Sequence, residues 1–551
     1  MTEGCTVGRY LVDRLRQLGL EHLFAIAGDY SIEWLNRCVA PGGVQIVEEV
    51  NEVNAGYAAD GYARMKGIGA LCVTYSAGAL CAVNAVAGAY VEKVPLVLIN
   101  GTPSVKRTIT FEQTGYSAHH FISGRQTDLQ SFENLTVAAI RIDSPDLAPT
   151  LIDYALTRCI SERRPVYVEL LQDMVDLECE PPTGLLKPAR ALSDPTSLEQ
   201  SVARISAQLE SCENPLIWLG VEIDRLGLQD KAMRLIQQLN VPFVTELLSK
   251  SVLSEDEGLF AGVLDGQASS TTVLDLADAS DFVLALGVWL TDINSLGWDP
   301  DYDKTAFASF DAVKFGTFFG GQVALEHLID GILAQNIPAK ERKLPEKPAR
   351  SVPAVSDADV ITYQGFYNYM QQYIDTDTIV SADASMNYFG SLLLDVPRPG
   401  GFVVQSSYSS IGYSGPAATG ICLVKGPDQK VMVFSGDGGF QMTAQCLSTQ
   451  TRFRLAPIIF VIDNGVYAVE QWLADAGVFH SDEPFYKPCL LHRWNYTALA
   501  EVFGCQGWEV GTYGELREAM AGARENASTP SLIQVRVPDK TIPDNANWKA
   551  H

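Results

Sequence analysis

What the sequence has little of narrows the field first. Lys plus Arg number 40 against 66 Asp plus Glu, a formal net charge of −26. Nucleic-acid binders need a basic footprint, and anionic membranes attract polybasic segments. Neither partner is therefore expected. No two of the 11 cysteines are three residues apart, so CxxC redox and zinc spacings are missing. Cys72 lies in the apolar run Ala70-Leu71-Cys72-Val73, the setting of a buried free thiol in a reducing compartment. Neither GxGxxG nor GxxxxGKS/T occurs, which weakens dinucleotide and P-loop readings. The apolar run Val94–Asn100 is far too short to span a bilayer. The N-terminal Met-Thr-Glu-Gly-Cys has no basic stretch and no apolar h-region, so no signal peptide is expected and the chain reads as cytoplasmic.

What is present is an ordinary globular mixture, 47% apolar and 19% charged. A chain of 551 residues exceeds the ~250–300 residues at which single cores stop growing. Two proline-rich polar stretches, 180–197 and 336–358, read as linkers. They divide the chain into domains at 1–182, 195–338 and 357–551. Each part holds short apolar runs alternating with helical patterns. The first has Gly69–Tyr75 and Val94–Asn100 around the helix-like Ala79–Glu92. The second has Pro215–Gly220 and Asp281–Gly287, and the third Thr378–Ser381, Lys430–Ser435 and Pro457–Ile462. Such runs suit strands buried on both faces of a parallel sheet, and the alternation implies βαβ units. The expected fold is α/β, three doubly wound parallel-sheet domains. The first and third parts could be distant duplicates, which spacing alone does not show.

The sharpest chemical signal starts at the end of one such run. Lys430–Ser435 leads into Gly436-Asp437-Gly438-Gly439, a helical pattern covers Thr443–Phe453, and Pro457–Ile462 ends in Asp463-Asn464-Gly465. Parallel strands joined by a crossover helix deliver their C-terminal loops to one sheet edge, where ligands of open α/β sheets bind. Asp437 and Asn464, 27 residues apart (464 − 437), should meet there. Mg²⁺ takes oxygen ligands from one or two protein groups, waters and phosphates. Glycines and a helix N-terminus admit phosphate oxygens. The constellation points to a magnesium site for a diphosphate. Asp-Gly and Asn-Gly are also common turn dipeptides; the matching Asn464 on the next strand lifts the chemical reading above that one.

Together with their flanks, these residues resemble the thiamine diphosphate (ThDP) enzymes, whose signature is GDG followed downstream by Asn. Gly436-Asp-Gly-Gly-Phe-Gln-Met-Thr-Ala-Gln445 and Ile462-Asp-Asn-Gly-Val-Tyr-Ala-Val-Glu470 are similar to the pyruvate and indolepyruvate decarboxylases. So are Ala27–Tyr30, Asn51–Asn54, Gly61–Arg64, Thr74–Leu80, His119-His120 and Ile411–Ser414. The middle third matches more weakly, around Gly287–Asp292.

The resemblance implies roles. Asp437, Asn464 and the Val466 carbonyl would bind Mg²⁺, beside Gly436, Gly438 and Gly439. Asp383 would contact the cofactor, Ile411 would wedge beneath it, and the Ser409 carbonyl would accept a bond from its exocyclic amine. Glu52 would bond the aminopyrimidine ring from a neighbouring subunit, which implies a homodimer at least, usually paired into a homotetramer. The family pattern Asn-Asn-x-Gly-Tyr is here Asp463-Asn464-Gly465-Val466-Tyr467, so the ligand carbonyl comes from a β-branched residue.

The cofactor carries the hard chemistry, and the protein must manage protons. Glu52, in the segment Glu48–Ala59, is the activating carboxylate; Glu48 and Glu49 are expected to be solvated helix glutamates. Asp29, His119, His120 and Glu470 are the candidates for proton delivery, since imidazole titrates near working pH. The His pair lies in the Gly/Ser/Thr-rich segment Gly101–Asp128. If extended, its two side chains point oppositely, one facing substrate. Ile293, Ser385, Val469 and Leu473 are read as pocket residues. Ile293 and Ser385 are smaller than the aromatics of pyruvate-preferring relatives, so the expected substrate is a longer branched or aromatic 2-oxo acid. Trp289, Trp472 or another side chain could instead refill that space. The leading reading is a non-oxidative 2-oxo acid decarboxylase. Its rivals are a carboligase on the same scaffold and a non-catalytic ThDP-binding or regulatory protein. A nicotinamide dehydrogenase would fit three α/β domains but lacks the glycine fingerprint.

Overall fold

The computed structural model describes residues 4–122, 127–189, 191–340 and 352–550. Pro345 and Pro348 of the second linker, Arg190 of the first and part of the Gly101–Asp128 segment lie outside the described residues. So do the first three residues of the N-terminus.

Three sheets build the chain. The first comprises β1 (His22–Ala25), β2 (Gln45–Glu48), β3 (Gly69–Thr74), β4 (Leu96–Thr102), β5 (Ala138–Ile142) and β6 (Val166–Leu171). Its order is β2-β1-β3-β4-β6-β5, parallel throughout. The middle sheet comprises β7 (Pro215–Leu219), β8 (Phe243–Thr245), β9 (Phe260–Val263), β10 (Phe282–Leu286), β11 (Thr305–Ala308), β12 (Ala312–Phe315) and β13 (Phe318–Gly321). The third holds β14 (Thr378–Ala382), β15 (Phe402–Val404), β16 (Lys430–Gly436), β17 (Ile458–Asp463), β18 (Gln506–Val510) and β19 (Ser531–Arg536). Its order is β15-β14-β16-β17-β19-β18, again parallel throughout. Numbered within each sheet, the first and third have the same order, 2-1-3-4-6-5.

The central strands are mostly apolar because both faces are covered. Every residue of β4, β6, β10 and β17 is buried. The middle sheet departs from expectation at one edge, where β11, β12 and β13 form an antiparallel meander. Its links are two to three residues long, too short for the crossover a parallel pair needs.

Several local expectations shift. The helix-like Ala79–Glu92 is two helices, Ala77–Cys81 and Val83–Val91. The Gly101–Asp128 segment is not a plain loop: it ends β4 and then forms the helix Val105–Thr114. The helix after Gly436 starts at Asp437 and runs to Thr443, and a second spans Cys446–Arg452. Glu48 closes β2, and Glu49 lies between that strand and the helix Glu52–Lys66. That helix packs lengthwise against Ser414–Val424, joining the first and third sheets within one chain.

Candidate active site

Strand register sets the centre. Gly436 of β16 pairs with Ile462 of β17, so Asp437 emerges beside Asp463, with Asn464 one residue farther along. Asp437 and Asn464 border a cavity of about 160 Å³ at the carboxyl edge of the third sheet. Gly436–Gly439, Asn464, Val466, Ile411, Ser385, Val469 and Glu470 all line it. Thus the predicted metal, diphosphate, wedge and two of the pocket residues come together in one place.

The backbone around Asp437 is tightly fixed. Its Oδ1 accepts from the Gly438 N–H at 2.8 Å and its Oδ2 from the Gly465 N–H at 2.7 Å. Burial, with the negative charge of Asp463 adding to it, pushes the Asp437 carboxyl up to about 7. Asn464 Oδ1 accepts from the Val466 N–H at 3.2 Å. Arg493 donates to the Asn464 carbonyl at 2.9 Å and to Asp463 at 3.1 Å. Gln534 donates to the other Asp463 oxygen at 2.6 Å. A buried carboxylate beside a second acid, with a side-chain amide oxygen on the same wall, is a donor set that suits a hard divalent cation.

Two glycines explain the motif. A Cβ on Gly438 would come within 2.2 Å of the Tyr467 ring. Gly465 has φ +74°, and a Cβ there would meet Arg493 at 2.8 Å. The left-handed turn falls on Gly465, and Val466 is outside the positive-φ positions. A β-branched residue is therefore accommodated at Val466, which is 4% exposed.

Asp383 lies just behind the cavity wall, where a Cβ on Gly439 would meet its Oδ2 at 2.2 Å. It does not line the cavity. Its fully buried carboxylate accepts from Gly412 N–H at 3.0 Å, Ser414 N–H at 3.2 Å and the Ser435 hydroxyl at 3.1 Å. Burial raises its carboxyl to about 6. It pins the turn after Ile411 to the end of β16. Ser409 just before that wedge has φ +55°, and its N–H bonds the Gln405 carbonyl at 3.1 Å.

Of the four pocket residues, Ser385 and Val469 line the cavity, whereas Ile293 and Leu473 do not. Ile293 packs against the core from the short helix Asp292–Ser295, and Leu473 is half exposed. Neither tryptophan fills the space. Trp472 is buried with its N–H on the Ala546 carbonyl at 2.8 Å, and Trp289 bonds Glu222 at 2.9 Å. Arg493, Asp463, Tyr467 and Tyr363 were missed in the sequence. Asp463 had a signal, its adjacency to Asn464; Tyr363, from a distant helix, had none.

The proton-transfer candidates form a second cluster on the first domain. Asp29 follows β1, and its Oδ2 lies 2.6 Å from His119 Nε2. Tyr30 stacks on His119 with ring centres 5.0 Å apart. The expectation of oppositely directed histidines fails. They sit in a turn, His120 at φ +68°, with rings 4.7 Å apart. One nitrogen of each histidine and a carboxylate oxygen of Asp29 lie within 4.8 Å of one another. The turn brings both rings to one side, where an extended backbone would have separated them. All three residues are exposed.

Glu52 opens the helix Glu52–Lys66, whose N-cap Asn51 accepts from the Asn54 N–H at 2.8 Å. It is half-buried beside Gly78. Glu48 and Glu49 are not solvated helix residues. Glu48 ends a strand and pairs with Arg452 at 3.0 Å. Glu49 is 8% exposed and accepts from the Thr449 hydroxyl at 2.8 Å. Burial raises its carboxyl to about 7. No residue lining the Asp437 cavity precedes Tyr363, although the Glu52 helix reaches the Asp437 helix, where Asn54 donates to the Thr443 carbonyl at 3.3 Å.

Residues 5–123 match the thiamine pyrophosphate enzyme N-terminal TPP binding domain, 202–325 the central domain, and 384–535 the C-terminal TPP binding domain. An alpha-keto-acid decarboxylase of Mycolicibacterium paratuberculosis is 30% identical, over 98% of this chain and 95% of its own length. A probable pyruvate decarboxylase of Schizosaccharomyces pombe is 28% identical over 98% and 95%. A pyruvate decarboxylase of Neurospora crassa is 29% identical over 97% and 93%.

Proposed function

The chain belongs to the thiamine pyrophosphate enzymes, among their 2-oxo acid decarboxylases, and on that premise we propose how its residues divide the work. It is a ThDP-dependent carboxy-lyase that releases CO₂ from a 2-oxo acid without oxidation. The finer reading concerns the metal, the subunits and the substrate.

Mg²⁺ would be held by Asp437, Asn464 and the Val466 carbonyl, and would anchor the diphosphate against Gly436–Gly439. Support comes from the buried Asp437 carboxylate, which is held by two backbone N–H groups and has no ion-pair partner among the described residues, with the Asn464 amide on the same wall. Thiamine diphosphate supplies the carbon nucleophile and the electron sink. Ile411 would support its rings from below, and the Ser409 carbonyl would accept from its exocyclic amine. Asp383 acts at one remove, by holding the turn that carries Ile411.

The single observation that carries the assembly is the make-up of the cavity wall. The cavity has no lining residue from the first domain, while Glu52, Asp29, His119 and His120 all lie there. We take the working unit as a homodimer, pairing into a homotetramer in the cytoplasm, in which a second copy brings these residues over the cavity. Glu52 would bond the aminopyrimidine ring. Asp29 orients His119, and the adjacent imidazoles are placed to deliver the proton that completes the aldehyde. Glu470, exposed at the cavity rim, would face the departing carboxylate.

Ser385 and Val469 leave room at the cavity, and neither Trp289 nor Trp472 lines it. That favours a branched or aromatic 2-oxo acid over pyruvate. The subunit reading is tested by mixing Glu52→Gln and Asp437→Asn chains, each inactive alone. A mixed dimer then holds one intact site, so statistical mixing should restore about a quarter of wild-type activity. No recovery despite confirmed subunit exchange would place Glu52 and Asp437 of one chain in the same site.

A further inference from the structure

Two of the 11 cysteines meet where the first domain begins and ends. Cys5 precedes the first helix, Val7–Gln17, and Cys179 stands at the head of the linker 180–197. Thr6 and Glu178 form an antiparallel bridge. It is closed by the Val7 N–H on the Leu177 carbonyl and the Cys179 N–H on the Cys5 carbonyl, both at 2.9 Å. Cys5 and Cys179 are therefore directly opposite each other, one residue outward from the bridge. Side chains alternate along extended backbone, so Thr6 and Glu178 share one face and the two thiols share the other. Gly4 follows the same alternation: a Cβ there would meet the Glu178 carboxylate at 3.1 Å. Cys38, which bonds the Thr6 side chain, falls on the Thr6 face.

Opposed residues of an antiparallel pair have Cα atoms about 4.5–5.5 Å apart, inside the ~4.4–6.8 Å that a disulfide spans. The two thiols are already within hydrogen-bonding reach of each other. Both are free and half-buried, so a small reagent can reach them.

We propose that Cys5 and Cys179 form a reversible oxidation site, a dithiol that closes to a disulfide and staples the two ends of the first domain together. The reaction is thiol–disulfide exchange with a low-molecular-weight disulfide of the glutathione class. Cys5, as thiolate, attacks one sulfur of that disulfide; its S–S bond breaks and one half leaves as a thiol. Cys179, as thiolate, attacks the Cys5 sulfur of the mixed disulfide, and the other half leaves. The protein gives up two protons and two electrons, and the small disulfide takes them as two thiols. Burial raises both protein thiols, Cys179 to about 12. The reduced pair is thus not stabilised as thiolate, which slows closure and favours the disulfide once closed. The bond encloses a separation of 174 residues (179 − 5), long enough to constrain the unfolded chain strongly.

The test uses the full-length protein, loaded with ThDP and Mg²⁺ and first fully reduced. It is equilibrated in glutathione buffers running from fully reduced to fully oxidised. Free thiols are then alkylated in denaturant and the digest is read by mass spectrometry. The expected result is a Cys5–Cys179 linked peptide that carries no glutathione and returns to two free thiols on reduction. Cys179→Ser should stop at the mixed disulfide, with glutathione left on Cys5. The linked wild type should melt roughly 4–8 °C above its reduced form, a gain absent from Cys179→Ser. Two thiols still free at the oxidised end of the series overturn the proposal. So do a wild-type pair that carries glutathione and never links, a bond from either cysteine to Cys38, and a linked form that melts no higher than the reduced one.

Discussion

Glu49→Gln should make the protein more stable at alkaline pH, and the effect should fade as the solution is acidified. Glu49 is buried at the seam between the first and third parts of the chain, with one oxygen on the Thr449 hydroxyl and the other without a partner. Burial raises its carboxyl from 4.5 to about 7. Because the folded value is the higher one, its favourable contribution is complete below about pH 4.5 and is lost as pH rises through about 7. A shift of that size corresponds to about 3 kcal/mol at most. Glutamine keeps an acceptor for Thr449 and never ionises. The gap between variant and wild type should therefore widen by about 2 kcal/mol between pH 5.5 and pH 8. The facing titratable groups are the Cys446 thiol, itself raised by burial, and the outer Glu48–Arg452 ion pair. Thermal or urea unfolding across that pH range is the assay. An equal gap at both ends, or a variant less stable throughout, would refute a protonated Glu49.

Two further substitutions test how the cavity is built. Gly438→Ala forces a Cβ to within 2.2 Å of the Tyr467 ring; ThDP affinity measured by titration should fall at least ~10-fold, about 1.4 kcal/mol, while the fold persists. Asp383→Asn turns one acceptor oxygen into a donor facing Gly412, Ser414 or Ser435. It should lower stability by about 2–4 kcal/mol and raise the ThDP requirement, both read from unfolding with and without cofactor; a wild-type unfolding curve would show that the carboxylate does not hold the Ile411 turn.

Much of the architecture was legible because it rests on short-range physics. Strands buried on both faces are mostly apolar, so Lys430–Ser435 and Pro457–Ile462 stood out, and their parallel pairing carried Asp437 to Asn464. Positions set by tertiary context were not legible. Glu48, Glu49 and Glu52 are three acids on one short stretch. Only their surroundings distinguish an ion-paired strand end, a buried carboxyl and a helix N-terminus. The His119–His120 geometry turned on a positive φ at His120, which no residue type announced. Asp383 was read as a cofactor contact, and the three donors that converge on it from other elements had no signal in the sequence. The antiparallel edge of the middle sheet was hidden for another reason: β12 and β13 are only four residues each and separated by two residues, shorter than most of the apolar runs that marked the other strands.

The central claim is tested most directly by measuring CO₂ and aldehyde from pyruvate, phenylpyruvate and indolepyruvate in the presence of ThDP and Mg²⁺. The predicted result is one aldehyde per CO₂, dependent on both additions, with higher kcat/KM for an aromatic substrate than for pyruvate. CO₂ release with acyloin as the main product would contradict proton delivery by the Asp29–His119–His120 cluster, and the absence of CO₂ from every substrate would contradict the decarboxylase itself.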